Sequence, residues 1–267
     1  MADSDSRGAQ TAYTNPFSDI TLAASTQWHA FPARFDWLAS HGFAMEYTPN
    51  GEALEETPKH LAAYLGKNIP VRHHAFFPGF ELGDADQSQA EKALALHKHY
   101  LDTIIGNGEQ VVTVHVGLVP DIALNHERVQ KNLSNLVEYG ATRGVTVSLE
   151  NLRFGATSNP ETVIQWAGES GASITLDVGH AVSCERVQAG ELTVPHIVEM
   201  FSHKLEEVHL YEYETDTHYA PHDMSVLGPI VDALLQTDCR WWTIELTDVE
   251  EILTTRELVH RHVLDRH

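Results

Sequence analysis

Eight short apolar runs punctuate the chain at regular intervals, and each is followed by a stretch whose apolar residues recur at helical spacing. The runs are DITLAAS (19–25), GFAMEY (42–47), IPVRHHAFF (69–77), VVTVHVG (111–117), VTVSLEN (145–151), SITLDVG (173–179), LEEVHLYEY (205–213) and WWTIEL (241–246). Their length and their β-branched and aromatic content predict strands. The intervening segments read as helices. ADQSQAEKALALHKHYLDTIIGNG keeps a 3.6-residue period and stops on glycine, and Asn159-Pro160 marks a helix start with proline in its first turn. Eight strands alternating with eight helices predict an α/β fold, a single-domain (β/α)8 TIM barrel over residues 18–267, after a polar N-terminal segment at 1–17. An open doubly wound sheet is the alternative. It gathers its site at one switch point, whereas here polar side chains leave many strands.

Side chains alternate along a strand, so the order of residues assigns them to faces. Thr146, Ser148 and Glu150 share a face, as do Thr113 and His115, Thr175 and Asp177, and Thr243 and Glu245. The opposite positions, such as Val147, Leu149, Ile174, Leu176, Ile244 and Leu246, are apolar. This predicts helices packed outside and an interior that turns polar towards the C-terminal ends of the strands.

Glu150, Asp177, His209 and Glu245 then form an inner set on the fifth to eighth strands. Three carboxylates and one imidazole suit a divalent ion such as Mn²⁺, Mg²⁺, Co²⁺ or Zn²⁺. Such an ion polarises a carbonyl and acidifies the adjacent C–H, and either of Glu150 and Glu245, as the catalytic pair, could then move a proton as general base or acid. For any one of the four, the competing reading is a salt bridge or a helix cap. An outer set comprises His74 (or His73), His115, His180 and one or more of Asp216, His218 and His222. These either hold further ions, which would activate water for hydrolysis, or hydrogen-bond the inner carboxylates. His73 and His74 face opposite ways, so only one enters the barrel. Arg153 is a candidate for meeting a substrate phosphate or carboxylate, against a surface ion pair. Phe76, Phe77 and Phe80 are candidates for an apolar wall over the site. Glu46 ends the second strand and reads as a neighbour of the ligands. Histidines in helical segments, His97 among them, read as surface residues.

The formal charge of −21, with 17 scattered Lys and Arg, argues against nucleic acid as a partner. No run is long and apolar enough for a membrane span, and the opening segment has no apolar core of a signal peptide, so a cytoplasmic location is expected. Cys184 and Cys239 read as free thiols.

HHAFF, VTVHVG, VSLEN, LDVGHA, EEVHLYE and TIEL together resemble, over about residues 20–260, the xylose isomerase-like TIM barrel superfamily. That group joins sugar phosphate isomerases and epimerases with endonuclease IV-type AP endonucleases (AP endonuclease family 2). In the epimerase branch the resemblance implies one metal on Glu150, Asp177, His209 and Glu245, with the two glutamates as the acid–base pair. In the endonuclease branch it implies three zinc ions on His74, His115, Glu150, Asp177, His180, His209 and Glu245, with Asp216 and His218 as an Asp-x-His. The chain departs from that branch in its Leu-Gly, which here follows His222 rather than His218. Basic DNA-facing loops are not evident. The resemblance further implies a small-molecule substrate and assembly as a homodimer. The expectation is a metal-dependent isomerase or epimerase of a sugar, sugar phosphate or polyol-like substrate. The alternatives are a multi-metal hydrolase of a phosphoester or amide, and a non-catalytic binding protein.

Overall fold

Eight parallel strands close into a barrel in which each pairs with its neighbours in sequence and the last returns to the first. They are β1 (Thr21–Gln27), β2 (Ala44–Thr48), β3 (Val71–Ala75), β4 (Val111–Val114), β5 (Thr146–Glu150), β6 (Ser173–Asp177), β7 (Leu205–Leu210) and β8 (Trp241–Ile244). The computed structural model describes residues 19–30, 33–66 and 69–265, so the expected polar segment at 1–17 lies outside the described residues. Helices α1 (Ala33–His41), α2 (Thr57–Leu65), α3 (Gln87–Ile104), α4 (His126–Ala141), α5 (Pro160–Ser170), α8 (Val194–Phe201), α9 (Leu227–Leu234) and α10 (Val249–Leu264) follow the strands in turn. Two short helices, α6 (Val178–Ser183) and α7 (Glu185–Gln188), precede α8 after β6.

Local chemistry sets the boundaries. Asp86, Asn125 and Asp248 accept hydrogen bonds from the first free N–H groups of α3, α4 and α10. Proline opens α5 and Gly171, in the left-handed region at φ 81°, ends it. The sixth run was expected to stay extended through Gly179, yet its strand stops at Asp177. The Asp177 side chain accepts from His180 N–H at 2.7 Å and caps α6 directly. A short antiparallel ribbon, Tyr213–Glu214 against His218–Tyr219, follows β7 and was not legible in the sequence.

Outward-facing residues of the strands, such as Val147, Leu149, Ile174, Leu176 and Val208, join the apolar core beneath the helices. The interior is polar through several layers, as the alternation predicted. Thr113, Thr175 and Ser148 form a hydrogen-bonded chain at 2.8 and 2.7 Å. Below it, Arg72 donates to Glu109 Oε2 and Glu206, lies 3.6 Å from Glu207, and covers the Trp241 ring. A register shift between β6 and β7 pairs Thr175 with Glu207 and Asp177 with His209. This bulge turns Glu207 and His209 inwards and leaves Glu206 at the rim.

Two packing details carry consequences. His97 was expected on the surface, but its face of α3 turns inwards and the ring is buried against Phe77. Burial lowers its pKa to about 4 despite its hydrogen bond to Ala93 O. Gly179 lies against Tyr211, where an added Cβ would sit 1.9 Å from the ring.

Because His97 titrates below its ordinary value, the unfolded chain binds more protons between pH 6.5 and 4. Its contribution to stability is complete above pH 6.5 and is lost as pH falls towards 4. Denaturant melts of His97→Leu should therefore show an acid-side slope shallower by up to about 1.4 kcal/mol per pH unit. An unchanged slope would contradict the assignment. Gly179→Ala should lower stability by on the order of 3 kcal/mol, and adding Tyr211→Ala should recover part of the loss. A Gly179→Ala protein as stable as the parent would show that the ring moves aside freely.

Candidate metal centre

The strand ends bring Glu150, Asp177, His209 and Glu245 to one place at the C-terminal mouth of the barrel. Glu150 and Asp177 are the last residues of β5 and β6, His209 lies in β7 opposite Asp177, and Glu245 follows β8. His209 Nδ1 is 3.2 Å from Glu245 Oε2, 3.6 Å from Glu150 Oε2 and 3.9 Å from Asp177 Oδ2. It has no hydrogen-bond partner among the described residues, and neither has Glu150 Oε2.

The outer histidines divide. Of the adjacent pair, His74 enters the barrel, whereas His73 turns outwards, where its Nε2 meets Asn107 O and Tyr100 lies beside the ring. His74 and His115 both converge on Glu150 Oε2, at 3.5 and 3.0 Å. His180, in the first turn of α6, places Nδ1 3.5 Å from Glu150 Oε1 and Nε2 3.3 Å from Glu214 Oε2. His218 stacks flat on Tyr211, with centroids 4.0 Å apart, and its Nδ1 donates to Glu245 O. Asp216 is exposed and hydrogen-bonded to Thr215 and Tyr219. The His222 side chain is fully exposed and belongs to none of the donor groups. Arg153 is engaged with Glu214, donating to its main-chain O and lying 3.4 Å from its carboxylate. Phe76 lines the mouth beside His74 and His115, Phe80 is exposed, and Phe77 is buried in the core against Tyr100.

Four sets of side chains offer ligand atoms close enough to share an ion: Glu150–Asp177–His209, His74–His115–Glu150, His180–Glu214–His218 and Glu46–His74–His209. Two of these needed residues that sequence reasoning passed over or left undeveloped. Glu214 follows β7 on the short ribbon, whose existence no periodicity announced. Glu46 is fully buried, and its Oε1 accepts from His209 Nε2 at 2.8 Å. Tyr211 was also missed. Its hydroxyl donates to Asp177 Oδ2 at 3.1 Å while its ring carries His218, so one side chain touches both the inner and the outer groups. Asn151 ties β5 to β6, with its Oδ1 and Nδ2 satisfying the main-chain N–H and C=O of Asp177.

The charges are strongly coupled. Burial opposes ionisation of Glu150, but His115, His209 and their neighbours outweigh it and hold its carboxyl well below the usual range. Glu245 is likewise held low by His209, His218 and His74 against its burial. Asp177 is pushed up to about 7, chiefly by burial and then by Glu150 and Glu245. Burial disfavours the charged rings of His74, His180 and His209, yet the surrounding carboxylates prevail. His74 rises to about 9, and His180 and His209 rise well above their ordinary value. The imidazoles thus carry the positive charge that the enclosed carboxylates require. A divalent ion meets the same need, and the unpartnered Nδ1 of His209 and Oε2 of Glu150 are suitable ligand atoms for it. The residues present fit such an ion.

Above the groups lies a cavity of about 310 Å³, lined by His74, Phe76, His115, Glu150, His180 and Glu245 among others. It continues into a cleft of about 870 Å³ whose rim carries Arg34, Asp216, Asp248 and Glu251. Among the described residues no helix is long and apolar enough to cross a membrane.

Comparison with known proteins accords with the barrel fold. The chain is 32% identical over 182 residues to an uncharacterised protein of Methanocaldococcus jannaschii, covering 68% of this chain and 78% of that one. Its fold superposes on a D-tagatose 3-epimerase-like protein with a TM-score of 0.72 at 18% identity, covering 92% and 98% of the two chains. It also superposes on endonuclease IV from Thermus thermophilus with a TM-score of 0.67 at 15% identity, covering 92% and 100%. Residues 35–264 match the xylose isomerase-like TIM barrel model, and the chain belongs to that family.

Proposed function

We propose that this protein is a metal-dependent hydrolase of a small phosphoester or amide, with more than one divalent ion at the barrel mouth. One observation carries the reading: a single oxygen, Glu150 Oε2, is approached by three imidazoles, His115 at 3.0 Å, His74 at 3.5 Å and His209 at 3.6 Å. A carboxylate shared between two donor groups suits adjacent ions, whereas beside a single ion on Glu150, Asp177, His209 and Glu245 the two further imidazoles would serve only to support Glu150. Glu150, Asp177, His209 and Glu245 would hold one ion, His74, His115 and Glu150 a second, and His180, Glu214 and His218 a third. Such ions polarise a phosphoryl or carbonyl oxygen and make water nucleophilic at neutral pH.

The chain's own groups organise the rest. Glu150 is held ionised and faces both inner groups. Phe76 presents a partly exposed ring to the cavity, which covers part of the site from water and offers a flat apolar surface to substrate. Arg153 holds Glu214 in place towards His180 rather than reaching into the cleft. The acidic rim and the charge of −21 favour a small molecule over a nucleic acid.

A second reading, the isomerase or epimerase expected from the sequence, is favoured by the approach of both Glu150 and Glu245 to the same nitrogen of His209, at 3.6 and 3.2 Å. There Glu245, partly open to the cleft, would exchange a proton with a substrate carbon and Glu150 would return it. The likeness to the D-tagatose 3-epimerase-like protein supports this reading in fold alone.

Elemental analysis of the purified protein separates the two. The hydrolase reading expects about two or three divalent ions per chain and about one fewer in His115→Ala. It also expects a fall of at least about 100-fold in hydrolysis of a phosphodiester or amide substrate in Glu150→Gln. About one ion per chain, together with incorporation of solvent deuterium into a ketose substrate, would overturn it in favour of the isomerase. In that case Glu150→Gln and Glu245→Gln should each abolish the exchange.

A further inference from the structure

Glu46, at the middle of β2, contributes to the centre without belonging to any of the three ion sets assigned above. It is completely enclosed. Its Oε1 accepts from His209 Nε2 at 2.8 Å, and its Oε2 lies 3.7 Å from His74 Nδ1 with no hydrogen-bond partner among the described residues. A carboxylate only accepts, so His209 Nε2 carries a proton, and the opposite nitrogen is the one turned to Glu150, Asp177 and Glu245. His74 is placed similarly but without a hydrogen bond: its Nδ1 lies 3.7 Å from both Glu46 Oε2 and Glu245 Oε1, and its Nε2 faces Glu150 and His115. One buried carboxylate therefore stands behind two imidazoles that serve two different donor groups.

We propose that Glu46 is a positioning residue that fixes the orientation of both His209 and His74, so that a single side chain sustains two ion sites at once. A carboxylate behind a ligating histidine sets which ring nitrogen is free and raises the basicity of that nitrogen. Here β2 delivers it to the point where β3 and β7 side chains meet inside the barrel. The inference rests on the reading of the mouth as a centre for more than one ion.

The test is zinc binding to metal-free protein, followed by calorimetry, with the histidine tautomers read by nitrogen-15 NMR of the zinc-loaded state. In the parent protein His209 should carry its proton on Nε2. Glu46→Ala should bind the same number of ions, two of them weaker by about 10- to 100-fold, with the His180 and His218 signals unchanged and the His209 Nε2 proton no longer protected. Glu46→Gln should fall between, because its amide oxygen still accepts from His209. Circular dichroism establishes folding, and where Glu46→Ala does not fold, Glu46→Gln carries the test through its own weakening at two sites. Unchanged affinities would overturn the proposal, as would weakening at one site only. Outright loss of an ion in both variants would also overturn it and make Glu46 a ligand. Absence of zinc binding by the parent would instead overturn the multi-ion reading itself.

Discussion

Carboxylates enclosed within a barrel need positive charge, and that requirement governs this structure. Glu46, Glu150, Asp177 and Glu207 are each at most 1% exposed, and Glu245 borders them. An unpaired buried carboxylate costs several kcal/mol even after relaxation. Water cannot supply the compensation inside a close-packed interior, so it must come from side chains or from bound ions. At the lower end Arg72 supplies part of it to Glu207, whose carboxyl is still pushed up to about 7 by burial and Glu46, and the Arg72 charge is in turn shared with Glu206 and Glu109. At the upper end no Lys or Arg forms a salt bridge with Glu46, Glu150, Asp177 or Glu245 among the described residues, and Arg153 meets Glu214 nearer the surface. Imidazoles pair with those four carboxylates instead, and imidazole is the group that can exchange a proton for a metal ion without moving.

This difference between the two ends divides stability from function along the barrel axis. The Arg72 layer is closed by Trp241 and by Thr243, whose hydroxyl accepts from the Trp241 indole and donates to Glu207 Oε1, while Glu207 Oε2 lies 3.6 Å from Arg72. The Thr113–Thr175–Ser148 chain above it satisfies its own hydroxyls. The mouth keeps more buried polar atoms unpaired, with Glu46 Oε2, His74 Nδ1, His115 Nδ1, Glu150 Oε2 and His209 Nδ1 all without hydrogen-bond partners among the described residues. A structure stabilised at one end can leave such atoms unsatisfied at the other. The supports of the mouth reach it from the rigid strands: Asn151 links β5 to β6, and Tyr211 joins Asp177 to His218. The absence of a Cβ at Gly179 is what admits the Tyr211 ring.

Much of the fold was legible because the barrel imposes two periodicities that a sequence cannot hide. Strands with one face buried under helices and the other inside a polar core must alternate, and Ser148, Glu150, Thr175, Asp177 and Thr113 did so visibly. Helices α3 and α5 announced their ends through a glycine and a proline. What escaped was set by contacts distant in the chain. His97 occupies a helix position that looks exposed until Phe77 folds over it. Glu214 gained its place from a two-residue ribbon too short for any pattern, and Asp216, two positions on, was carried outwards by the same turn. The inward facing of Glu207 depends on a register shift between β6 and β7, which belongs to the pair of strands and not to either alone.

The amino-acid order by itself determined the barrel, its closed parallel topology and the four strand-end residues Glu150, Asp177, His209 and Glu245. The facing of Glu150, Asp177 and Glu245 follows from local alternation read strand by strand, whereas the inward facing of His209 goes with the register shift between β6 and β7. It also determined that only one of His73 and His74 could enter. Only the tertiary structure decided that His74 is the one, that His115 joins it on the same oxygen of Glu150, and that Glu46 stands behind both His74 and His209. Those relations cross from β2 to β3, β4, β5 and β7. The physical reason is that a strand's sequence specifies which face a side chain takes, whereas barrel closure and register specify which side chains from other strands it meets there.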